Sequence, residues 1–407
     1  MKQTLIQTSL AAAVLLATLI LHTTSSRAQG ALTPPGAPAP AMKTLAQIEA
    51  RTPVDATNTP GTAAVQYVIN QPGSYYLTGN ITAAAFRTGI TIQTNDVTLD
   101  LNGFVMTGPG GSTYNAIAVV GQVAQNNVVI RNGTLRNWAS GVFAPGGYCE
   151  LDHVRVYGCG ANGFQIGSNC KVKDCSAVNN GSIGILLGSF CQVTDCLVSG
   201  SVSNGISMSN GCVVTDCQVC SNAIGIFGGL NCTLRGCHIL ENSDGGVYLS
   251  DNFNVSQCTA TFSYVGFDLG SHGQITECVA NSNDEDGIDI QDCCTIKGCT
   301  ANNNGSTGLG ADGVDVFEDN QVSFNGSTGI FTLSGMNRIE HNTTMNNGQY
   351  GIESYAGPGV DFVGRNVSQG NGSSSAPFLG ANYSPTNGTT FAPIQTPATA
   401  TSPWANF

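Results

Sequence analysis

Asp268 and Asp289 are the two residues best placed to do chemistry. Each is the third residue of the same short motif, Gly266-Phe-Asp-Leu269 and Gly287-Ile-Asp-Ile290, one repeat apart. Carboxylates paired across one repeat can share a proton, act as acid and base, or hold Ca2+. Asp284, Glu285, Asp286 and Asp292 fill the flanking turns, and Tyr248 holds the same motif position one repeat earlier. Asp268 and Asp289 are therefore the candidate catalytic pair, and Asp268, Asp289, Asp286 and Asp292 the candidate Ca2+ ligands. The competing reading of the same carboxylates is a solvated acidic face.

These residues are positioned by a tetrad of Gly, apolar, any residue, apolar-or-small that returns about every 21 residues from Gly141 to Ile352. A spacing that regular is an architectural repeat. Segments such as Gly163-Phe-Gln-Ile166 and Gly246-Val-Tyr-Leu249 are short and alternating, so each is read as a strand. A repeat of this length is too short for a strand and a helix with their own core, but it holds three short strands, one turn of a coil. Stacked coils place equivalent residues about 4.8 Å apart in columns.

Within the tetrad the third residue points away from the core, because side chains alternate along a strand. That outward column reads Phe143, Gln165, Leu186, Ser207, Phe227, Tyr248, Asp268, Asp289, Gly310, Phe331 and Glu353. It mixes aromatic rings with carboxylates, and Phe227, Tyr248, Phe331 and Glu353 are the candidate substrate-binding residues. The loop Thr107 to Tyr114 is a candidate wall for the groove they line.

Other columns test the stacking. One runs Cys149, Cys170, Cys191, Cys212, Cys232, Phe253, Gly273 and Cys294; a second runs Cys175, Cys196, Cys217, Cys237, Cys258, Cys278, Cys299, Asn320, Asn342 and Asn366. A third, Asn180, Asn242, Asn283, Asn304, Asn325 and Asn347, sits four residues before the repeat glycine. Asn tolerates left-handed turns and hydrogen-bonds to a copy of itself above. The cysteines leave two readings open: buried thiols packed as small apolar residues, or bridges between neighbouring coils. The Cys-x4-Cys pairs do not have zinc-site spacing.

With these residues in view, the chain resembles the right-handed parallel β-helix superfamily that includes pectate lyases, polygalacturonases, alginate epimerases and NosD-like periplasmic proteins. The resemblance covers roughly residues 65 to 375 and rests on the repeat glycines, apolar strands and Asn columns. It implies an all-β, single-stranded right-handed parallel β-helix solenoid, here of about thirteen coils. It also implies a sugar chain lying on the outward sheet face. Gly266-Phe-Asp-Leu-Gly-Ser-His-Gly273 faintly resembles the His-containing loop of polygalacturonases and the acidic-His segment of alginate epimerases. The acidic cluster follows His272, however, and Arg338-Ile-Glu340 lacks the second base; His272 reads as a turn residue. A lyase needs an Arg base near Ca2+, and from Glu241 to Asp319 the one basic residue is Lys297.

Composition narrows the partners. The formal charge is −12, with fourteen Asp and Glu between Glu241 and Asp319. Nucleic acid is excluded as a partner by this balance, since phosphate neutralisation needs a basic surface. Asp312, Asp315, Glu318 and Asp319 form a second oxygen-rich cluster. Met1-Lys2, the apolar run Leu10 to Leu21 and Ser26-Arg27-Ala28 read as a signal peptide over 1–28, and no second run is long enough to span a membrane. Residues 29–64 are read as linker and N-terminal cap, with a short helix from Thr44, 65–372 as the β-helix, and 373–407 as C-terminal cap and disordered tail. Tyr67 to Asn80, including Gln71-Pro-Gly-Ser-Tyr-Tyr-Leu-Thr-Gly-Asn80, is read as an opening hairpin or first coil. The expected protein is a secreted or periplasmic monomer that binds a polysaccharide or cell-surface glycan. Processing by a lyase, hydrolase or epimerase stays open, as does a non-catalytic structural, adhesion or scaffold role.

Overall fold

The computed structural model describes residues 49–83, 86–110, 113–121, 126–355, 359–372, 382–385, 390–392 and 401–406. Contacts divide the chain into Met1–Ala50 and Arg51–Phe407, and every described strand lies in the second unit. The signal peptide, the Pro- and Ala-rich segment and the helix expected from Thr44 lie outside the described residues, apart from Glu49 at that helix's end.

One middle coil shows how the sequence makes the fold. The tetrad strand Phe164–Ile166 is followed by two flank strands, Lys171–Lys173 and Ser176–Val178, before the next tetrad strand Ile185–Leu187. Between them the chain bends at Asn169, Asp174 and Asn179, with φ of 58°, 51° and 55°. Left-handed backbone is tolerated best by Gly, Asn and Asp, so in this coil an Asn or Asp stands immediately before each of Cys170, Cys175 and Asn180, although other coils hold Phe190, Phe262 or Phe324 at the same corners. The repeat glycine has a different cause. A Cβ on Gly266 would stand 2.3 Å from the carbonyl oxygen of Gly287, so only hydrogen fits between coils.

All the strand pairings are parallel and in register. The tetrad strands make one 15-stranded sheet, and the flank strands make a 28-stranded one in which Val128–Arg136 and Cys149–Tyr157 run through the corner. Fifteen tetrad strands exceed the thirteen coils expected, because early coils are longer and hide the period: Tyr75 pairs with Leu99, but Leu99 pairs with Ile130. Of the two readings of Tyr67 to Asn80, the first coil is formed and the opening hairpin is not. Val65–Ile69 pairs with Thr88–Ile92, and Gly73–Tyr76 with Val97–Asp100, each in a different sheet.

The interior is filled by the second and fourth tetrad residues and the middle residue of each flank strand, as in Phe164, Ile166, Val172 and Ala177, all buried. The residue after each corner also points inward. In the third column the side-chain oxygen of Asn304 accepts the Asn283 backbone N–H at 3.1 Å and its side-chain N–H at 2.9 Å, and Asn304 repeats this with Asn325. Ser201, Asn222 and Ser263 fill the steps the repeat had left blank.

At the N-terminal end of the described coils Thr52–Pro53 pairs with Gly73–Tyr76, and Arg51 and Arg131 each reach the nearly buried Asp100 at 3.2 Å. At the other end, Tyr383–Pro385 pairs with Ile352–Ser354, and Asn406 is fully buried, donating to the Val363 carbonyl at 3.0 Å. The described parts of the segment read as a loose tail thus cover the last coil. No helix among the described residues is long and apolar enough to cross a membrane.

Candidate functional site

The outward column is continuous. Register pairs Phe227 with Tyr248, Tyr248 with Asp268, and Asp268 with Asp289, then runs through Gly310 and Phe331 to Glu353. Adjacent members are one strand spacing apart, about 4.8 Å. Three of the candidates, Phe227, Tyr248 and Asp268, line a shallow groove of about 420 Å³ walled by Leu230, Ser250, Asp251, Gly270 and Gln291. Phe331 and Glu353 lie further along the same strip; the Phe331 ring is 6.0 Å from that of Tyr355, and Glu353 accepts from Thr328 at 3.0 Å.

Small residues make room for the site. A Cβ on Gly245 would stand 2.3 Å from the Tyr248 ring, whose hydroxyl donates to the Asp244 carbonyl at 2.9 Å. A Cβ on Gly310 would stand 2.7 Å from a carboxylate oxygen of Asp289, so that carboxylate lies over the gap in the strip.

Electrostatics single out Asp289. Burial, then the charges of Asp286, Asp268 and Asp312, push its carboxyl up to about 7. Burial and then Asp286 raise Asp268 as well. Tyr248 is raised by burial and by Asp268. A carboxyl that takes up and releases a proton near neutrality, one strand from another carboxyl, can serve as donor or acceptor in acid–base chemistry.

The four candidate metal ligands do not converge. Asp286 accepts the Thr307 N–H at 2.7 Å, while Asp292 is exposed in the following loop with its oxygen against Gly313. Among the described residues the one group of three whose ligand atoms lie within 4.8 Å of one another is Asp152, His153 and Asp174, on the flank face. There both imidazole nitrogens already face carboxylates, at 2.7 Å and 4.0 Å.

The second acidic cluster is also dispersed. Asp315 is buried in the first cysteine column, accepting the Cys294 N–H at 2.7 Å. Glu318 and Asp319 are not without a basic partner, since Lys297 lies 3.0 Å and 3.8 Å from them. His272 is an exposed corner residue with φ 61°, as its turn reading requires. Residues 111 and 112 of the loop Thr107 to Tyr114 lie outside the described residues; its described part adjoins Ile117–Val119, six strand steps from Tyr248, and is not among the residues lining the groove. The groove's real walls come from the loops after the tetrads, where Leu230, Ser250, Asp251, Gly270 and Gln291 lie between the strand and the next column.

A family model described as right handed beta helix region matches residues 68–219 and 209–315. Among solved structures, the chain is similar to the A-module of mannuronan C-5 epimerase AlgE6 from Azotobacter vinelandii. Identity is 16%, with 80% of this chain and 92% of that one covered, at a TM-score of 0.40. It is also similar to a mutant of the periplasmic alginate epimerase AlgG (10%, 83% and 80%, TM-score 0.42). A third is the Dettilon tailspike protein gp208 (11%, 70% and 62%, TM-score 0.40). At these identities the likeness is one of fold. No curated protein matches the sequence.

Proposed function

Because the chain belongs to the right-handed β-helix family, we propose that it is an exported protein that binds a polysaccharide along the outward face of its tetrad sheet. The observation that carries this reading is the groove in which Phe227 and Tyr248 stand beside Asp268 on one unbroken column. Aromatic faces stack on the apolar faces of sugar rings while carboxylates accept from their hydroxyls. The strip carries no cation, and the nearest basic side chain in the acidic stretch, Lys297, is engaged with Glu318 and Asp319 on another face. The glycan class that fits is therefore neutral or amino-bearing; a polyuronate would need Ca2+ between its own carboxylates and those of Asp268 and Asp289. The apolar leader at the N-terminus supports export to the periplasm or beyond.

A second reading, processing of the bound chain, is favoured by the raised carboxyl of Asp289. A glycan array, run with wild type, Phe227→Ala and Tyr248→Ala, tests binding: loss of signal in both variants is expected. No bound glycan, or binding indifferent to both, sinks the proposal and leaves a scaffold role. Reducing-end and unsaturated-uronate assays with and without Ca2+ separate binding from processing; turnover abolished by Asp268→Asn or Asp289→Asn makes the protein an enzyme.

A further inference from the structure

The first two inward columns contain cysteine where other coils place Asn or Asp, and the thiols face the same backbone groups. Asn320 accepts the Cys299 backbone N–H on its side-chain oxygen at 2.8 Å and donates to the Ile296 carbonyl, one coil back, at 3.0 Å. One coil earlier, the Cys299 thiol donates to the equivalent carbonyl, that of Ile275, at 3.6 Å. Cys196 and Cys237 likewise reach Val172 and Val214, at 3.7 Å and 3.6 Å, sharing the single S–H with the nearer Thr194 and Arg235 carbonyls at 3.2 Å and 3.4 Å, and in the first column Cys191 donates to Gly167 at 3.2 Å. As acceptors, Cys170, Cys191 and Cys278 take the N–H of Cys149, Cys170 and Cys258 at 3.2 to 3.4 Å. All sixteen cysteines lie among the described residues, and all are unbridged.

We propose that the cysteine columns are hydrogen-bonding ladders in which a thiol replaces the Asn side chain, so that the middle coils are built from, and require, reduced cysteine. A corner turns the backbone away from the sheet ladder, so its inward N–H and a nearby carbonyl need side-chain partners. A thiol supplies a weak acceptor and a weak donor in less volume than Asn. A bridge between neighbouring coils would remove two S–H donors from buried carbonyls. Pairing also cannot be complete: the second column has seven consecutive cysteines, Cys175 to Cys299, and the first has five, Cys149 to Cys232. Burial pushes the Cys294 thiol up to about 11, while hydrogen bonds from neighbouring thiols lower Cys196, Cys258 and Cys299.

Two measurements test this. Protein purified without reductant, unfolded and alkylated, is mapped by mass spectrometry; every column cysteine is expected as a free thiol, and a bridge such as Cys196 to Cys217 overturns the proposal. Reciprocal swaps at the junction of thiols and amides then test the bonds. Cys299→Asn and Asn320→Cys are expected to unfold within a few degrees of wild type, whereas Cys299→Val and Asn320→Val, similar in bulk but unable to bond, unfold clearly earlier. Valine variants as stable as wild type, or swaps as damaging as valine, refute it.

Discussion

Replacing Asp289 by Asn should stabilise the fold by an amount that grows with pH. In the folded protein the carboxyl lies at about 7 against an ordinary value of 3.8. Three units at 1.36 kcal/mol each set an upper bound of about 4 kcal/mol. The side chain is only part-buried, so solvent screening brings the figure to about 2 kcal/mol. The sign follows from proton binding. Between pH 4 and 7 the folded state keeps a proton that the unfolded chain has released, so stability falls as pH rises through that window, and the full cost is present above it. Asn has the same shape and no charge. Its advantage should be a few tenths of a kcal/mol at pH 4 and about 2 kcal/mol at pH 8, a shift of a few degrees by calorimetry. An equal shift at both pH values, or a loss of stability at pH 8, would refute the desolvation argument. A confirmed gain would mean that the chain retains a carboxylate at the expense of its own stability, the pattern of residues kept for what they do.

Three other outcomes are expected. Asn304→Leu leaves the N–H groups of Asn283 and the Ala280 carbonyl without partners in a dry interior, costing about 2–4 kcal/mol by thermal unfolding. Gly310→Ala should fold normally yet move the Asp289 carboxylate, seen as a changed Asp289 titration by NMR and altered glycan binding. Gly273→Ala meets the Phe253 ring at 2.3 Å and should cost about 1–3 kcal/mol; combining Gly273→Cys with Phe253→Cys should recover stability, read as positive coupling in a double-mutant cycle.

The columns could be read from the sequence because a parallel coil turns a fixed spacing into vertical alignment, and the outward strip from Phe143 to Glu353 followed from it. Coil count was harder: between Leu99 and Ile130 the period stretches, so the earliest strands blend into their turns. Asp315 shows a different limit. Read as one of four clustered acids it looked like a surface ligand, yet it stands at the next step of the column after Cys294, and register alone places it inside. What no spacing could reveal is direction within loops. Asp286 and Asp292 neighbour the paired carboxylates in sequence, but one is held by the Thr307 N–H and the other faces away into the following loop. The thiol bonds were equally hidden, because Cys reads as a small apolar residue until the orphaned N–H beside it is seen.

The three left-handed corners of each coil have a consequence for how such a chain can change length. From Cys149 onward they stand five residues apart and enclose the two flank strands with no slack, as at Asn169, Asp174 and Asn179, whereas the loops bordering the tetrad absorb the irregularities. Duplicating or deleting one whole period therefore alters the molecule as adding or removing a stair alters a staircase. The tread shape and the handrail of inward bonds are kept, and only the distance between the aromatic landmarks at Tyr248 and Phe331 is reset.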